Sequence, residues 1–133
     1  MLGEQIAKLK GKILGQRVLD VEGPTMETTV AINGTYKGIQ VNETLTFVGR
    51  PTSGGVIHGE GKGIIMTEEG EMATYTGEAF GGIISSGGTR WRGSVFYSTA
   101  STGKIAFLNN LVGIFEVEID AEGNFSNDTW EWK

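Results

Sequence analysis

The sequence predicts an all-β chain: a single eight-stranded antiparallel β-barrel with a short N-terminal helix, occupying residues 1–133 as one domain. Three observations lead there. About eight runs of β-branched and aromatic residues recur at roughly 8–12-residue spacing, and no long helical pattern lies between them. Turns marked by glycine or proline separate the runs. The stretch 55–97 reads as three successive strands so rich in glycine that something must press closely against them, or a ligand must be given room. A barrel is preferred to an open sandwich because closing the sheet removes its exposed edges.

Taken in order, Leu2, Ile6 and Leu9 fall at helical spacing with charges between them, which predicts a short amphipathic helix over residues 2–10. From Lys12 the period changes to two. Residues 12–22 form a strand that stops at Gly23-Pro24, and residues 25–32 form another that stops at the hairpin signal Asn33-Gly34. Residues 35–49 continue to the loop Arg50-Pro51-Thr52-Ser53-Gly54-Gly55. The three glycine-rich strands reverse at Glu68-Glu69-Gly70 and at Ser85-Ser86-Gly87-Gly88. In the first of them Gly59, Gly61 and Gly63 share one face, while His58, Glu60 and Lys62 share the other. Residues 111–120 and 124–133 supply the last strands around the turn at 120–124, with Trp130 and Trp132 on one face.

Composition bounds the function. A chain of 133 residues is long enough to bury a core without staples. It has no cysteine, so thiolate chemistry and disulfides are out of reach. The net charge of −5 is interspersed, which argues against a nucleic-acid or anionic-membrane partner. With no apolar leader pattern in the first residues, a soluble cytoplasmic protein is expected.

The segments GEGKGIIMT, ATYTGEAFGG, RGSVFYST and KIAFLNNLVGIFEVEID resemble, in order and in their pattern of glycine, aromatic and acidic positions, the small barrels of the allene oxide cyclase and dirigent protein group and microbial relatives of it. The resemblance covers a little over half the chain. It implies an antiparallel barrel, often trimeric, with a largely apolar cavity that steers a reactive hydrophobic intermediate by shape, and it carries over no catalytic residue.

No cofactor is expected. A metal site is not expected either, because His58 is the only histidine and the carboxylates lack ligand spacing along the chain. HGEGKG is no phosphate loop, since neither Ser nor Thr follows Lys62. The residues that invite a role are charges inside apolar strands: Glu78, Arg92 and Glu116. Glu116 with Glu118 fits a solvated face. Glu78 and Arg92 form either a buried pair at the floor of a pocket, with His58 and Tyr75 near its rim, or a surface ion pair across neighbouring strands. Three functions compete: a barrel holding a small apolar molecule at these residues, an oligomeric assembly module with a filled core, and a cofactor-free isomerase or cyclase.

Overall fold

The computed structural model describes residues 2–133. Eight strands, β1 (Leu2–Asp20), β2 (Thr25–Tyr36), β3 (Ile39–Pro51), β4 (Ile57–Thr67), β5 (Met72–Ile83), β6 (Thr89–Ser98), β7 (Val112–Ile119) and β8 (Asn124–Trp132), follow one another around a closed antiparallel barrel. Each strand pairs with the next, and β8 returns to β1.

The N-terminal helix is overturned. Among the described residues there is no α-helix, only two three-residue 3-10 turns, and residues 2–10 lie within β1. The reason is visible in the register of β1 against β8, which slips between Leu2 and Gln5 and again between Gln5 and Ala7. Such irregularities break the period of two. Ile6, Ala7 and Leu9 are therefore all buried, and a strand acquires a burial pattern that resembles helical spacing.

The first hairpin signal also moves. Asn33 and Gly34 lie inside β2, and the reversal falls on Lys37 and Gly38, both with positive φ, between the paired Tyr36 and Ile39. That is the two-residue loop that matches strand twist. Gly34 is needed for a different reason: a Cβ there would stand 2.3 Å from the Lys8 carbonyl oxygen of β1.

One end of the barrel is plugged. The connection from β6 to β7 folds back under the strands and buries Ile105, Leu108 and Leu111. Ser101 Oγ donates to Glu71 Oε1 at 2.5 Å, tying this plug to the β4–β5 turn. The opposite end is bordered by the β1–β2, β3–β4, β5–β6 and β7–β8 turns and stays open.

Candidate functional site

Alternation along β3 points Val41, Glu43, Leu45 and Phe47 to the interior. A carboxylate in that row must be paired or neutralised, since burial of a lone charge is costly. Glu43 is 6% exposed. Tyr75 of β5 donates its hydroxyl to Glu43 Oε2 at 2.5 Å, and Tyr36 of β2 donates to Oε1 at 3.3 Å. The Tyr36 hydroxyl is in turn 3.1 Å from that of Tyr97 on β6. The rings of Tyr36 and Tyr75 meet Tyr97 edge-on, at centroid distances of 5.7 and 5.8 Å. Next to them Thr129 of β8 donates to Asn127 Oδ1 at 2.7 Å.

Burial pushes the Glu43 carboxyl up to about 7, against the opposing pull of the hydrogen bonds from Tyr75 and Tyr36. Burial likewise raises all three phenols, reinforced by the negative charge of Glu43 beside them. The tyrosines therefore act as neutral donors. Glu43 alone among these groups exchanges a proton near neutrality.

Above this polar floor lies a cavity of about 80 Å³ with apolar walls. Phe47, Trp91 and Ile119 line both the cavity and an open recess of about 640 Å³ at the turn-bordered end, so these three side chains form the neck between inside and outside. Trp91 packs edge-on against Phe47 at 5.6 Å and donates its indole N–H to Thr89 Oγ1 at 2.9 Å. The glycine-rich strands explain how these rings fit. A Cβ at Gly63 would stand 2.2 Å from Tyr75 Cζ, and one at Gly81 2.4 Å from Trp91 Cδ2. The bare glycine face is thus a seat for inward aromatic rings.

The candidates from sequence separate. Tyr75 belongs to the cavity. His58 and Glu78 meet on the outer wall, where His58 Nε2 is 3.9 Å from Glu78 Oε2. Arg92 and Glu116 are register partners on the outer face and both are exposed. The buried Glu78–Arg92 pair does not form: Glu78 lies opposite Ser94, Arg92 opposite Phe80, and both side chains face outward. Glu43, Tyr36 and Tyr97 are the residues missed. Glu43 had a signal, since it is the one charge on the Val41–Leu45–Phe47 face.

No protein-family profile matches this sequence, and no curated protein matches it. Solved structures do. A conserved protein of unknown function from Rhodopseudomonas palustris superposes with a TM-score of 0.79 at 9% identity, over 99% of each chain. A protein with unknown function from Clostridium acetobutylicum superposes with a TM-score of 0.81 at 10% identity, over 98% of each. Identities this low show a shared small-barrel fold and nothing about activity. The cyclase and dirigent group is not singled out by them.

Proposed function

We propose that the barrel holds a small, mostly apolar molecule whose single hydroxyl or amine group donates to the Glu43 carboxyl. The observation that carries this reading is a buried carboxyl at the floor of an apolar cavity, already receiving Tyr75 and Tyr36 yet retaining free lone pairs. Convergent polar groups inside an otherwise apolar pocket are what orient a ligand. The cavity is about half the ~150 Å³ that accepts benzene in an apolar core. A ligand of that size or larger therefore enters from the recess and displaces Trp91 or Phe47 at the neck.

Native mass spectrometry before and after organic extraction tests this, with the Glu43→Gln variant alongside. An adduct that vanishes on extraction and is retained less by the variant supports the proposal. An adduct-free wild type whose tryptophan fluorescence ignores a panel of small apolar amines and alcohols sinks it. One observation favours a second reading, a cofactor-free isomerase or cyclase: a carboxyl balanced near neutrality suits proton transfer. Recovery of a chemically altered compound after incubation separates turnover from storage.

Self-association accompanies the proposal. Residues 14–20 of β1 pair with β2 alone, leaving a free edge on which Leu14, Val18 and Leu19 are exposed. The cysteine-free composition accords with a reducing, cytoplasmic setting. No helix among the described residues is long and apolar enough to cross a membrane.

A further inference from the structure

The outer wall of β4 and β5 carries a second constellation, separate from the cavity. Register sets Glu60 directly opposite Glu78 and His58 opposite Phe80. His58 therefore neighbours Glu60 along its own strand and Glu78 on the diagonal. The imidazole lies between the two carboxylates, with Nδ1 3.9 Å from Glu60 Oε1 and Nε2 3.9 Å from Glu78 Oε2. Donor atoms from all three residues fall within 4.8 Å of one another. Among the described residues no other trio of histidine and carboxylate donors converges in this way.

Two carboxylates placed face to face across a strand pair repel. Among the described residues, neither Glu60 nor Glu78 forms an ion pair with a lysine or arginine, although Arg50, Lys62 and Arg92 lie on the same outer face. The group each of them faces is His58. That ring is itself constrained, packed against Phe80 at a centroid distance of 5.3 Å with its side chain 24% exposed.

We propose that His58, Glu60 and Glu78 bind one borderline divalent cation, Zn²⁺ being the best match. One imidazole nitrogen and two carboxylate oxygens are ligands that such ions accept, and the two carboxylates neutralise the ion's charge. In a tetrahedral shell with ~2.0 Å bonds, donor atoms stand about 3.3 Å apart. The two carboxylates face opposite ring nitrogens and an ion takes only one of them, so one of the exposed glutamate side chains swings across to the other's side of the ring while the barrel fixes the three backbones. Three protein ligands on an exposed wall leave the fourth position to water, so the site is open. Spacing along the chain hides it, since Glu78 joins the other two only through the β4–β5 register.

Titration of the full-length, chelator-treated chain with ZnCl₂ by calorimetry tests the assignment, and NMR of the imidazole supplies a residue-specific readout because the chain has a single histidine. The expected result is saturable 1:1 binding that perturbs the His58 ring signals. His58→Ala and Glu78→Gln should each weaken binding at least tenfold, as even loss of an outer-shell partner does. Glu116→Gln, elsewhere on the outer wall, and Glu43→Gln, inside the barrel, should leave it unchanged. Absence of saturable binding overturns the proposal. So does 1:1 binding that survives both His58→Ala and Glu78→Gln, which would place the ion elsewhere.

Discussion

Tyr75 and Glu43, 32 residues apart and carried by strands on either side of β4, are joined by a 2.5 Å hydrogen bond inside the barrel. The bond passes over Gly63, whose missing side chain leaves the space occupied by the Tyr75 ring. Three neighbouring strands therefore cooperate in placing one proton donor on one carboxyl.

Removing that donor should be costly. Tyr75→Phe keeps the ring in its seat but leaves Glu43 Oε2 without its partner in an apolar setting. Loss of a hydrogen bond to a charged group costs about 1.5–3 kcal/mol. Urea unfolding at pH 8, where Glu43 is mostly ionised, should show a loss of that order. A variant as stable as wild type would mean that water replaces the hydroxyl without penalty.

The raised pKa of Glu43 fixes the sign of a pH effect. Its carboxyl goes from 4.5 when unfolded to about 7 when folded, so between these values the native state binds more protons than the unfolded chain. Stability from this group is complete below pH 4.5 and is lost as pH rises through 7. The loss amounts to roughly 3 kcal/mol, at about 1.4 kcal/mol per pH unit. Glu43→Gln removes the titration while keeping the shape. Its stability relative to wild type should therefore rise between pH 5 and pH 8, as read from denaturation midpoints across that range. Parallel curves for the two proteins would show that Glu43 does not titrate in this window.

The contrast between Glu43 and Glu78 shows how far the sequence alone could lead. Most strands and the glycine-marked turns other than Asn33-Gly34 follow from local patterns, and closure follows from the need to remove sheet edges. Which face of a strand looks inward depends on register, which is a property of pairs. For β5 the apolar count is ambiguous: Met72 and Phe80 lie outward with Glu78, while glycines and alanines share the inner face with Tyr75. The inward ring of Trp91 fills the space over Gly81 of this strand and that of Tyr75 the space over Gly63 of β4, so the face that looks bare in sequence is the core face. For β3 the signal is plain, because Val41, Leu45 and Phe47 flank Glu43 at alternate positions. The first strand misleads for a local reason, the two register slips against β8. The outer His58–Glu60–Glu78 trio is illegible until β4 and β5 are laid side by side.

The seat beneath Tyr75 makes Gly63 intolerant of even one methyl group. An alanine Cβ would sit 2.2 Å from Tyr75 Cζ, and the ring cannot withdraw without releasing Glu43. Overpacking of this kind costs about 1–3 kcal/mol. Gly63→Ala should lower the thermal midpoint, and adding Tyr75→Phe should not restore it, because the clash is with the ring and not with the hydroxyl alone. Gly15→Ala is the control, since nothing lies within 4 Å of its Cβ position. Equal effects at the two sites would argue against the seat.

The free edge of β1 supplies the last test. Over residues 14–20 the strand has β2 on one side and, among the described residues, no strand on the other, because its pairing with β8 ends at Lys12. Val18 is 60% exposed there. An unpaired edge with apolar side chains is a template for another strand, and lysine is a common means of blunting one. Light scattering across a concentration series should show wild-type mass rising above that of one 14.2 kDa chain, and Val18→Lys should return it to the single-chain value with the circular dichroism spectrum unchanged. A wild type that stays at one chain throughout would remove the edge as an assembly surface. A multimer indifferent to the substitution would move the interface to another face of the barrel.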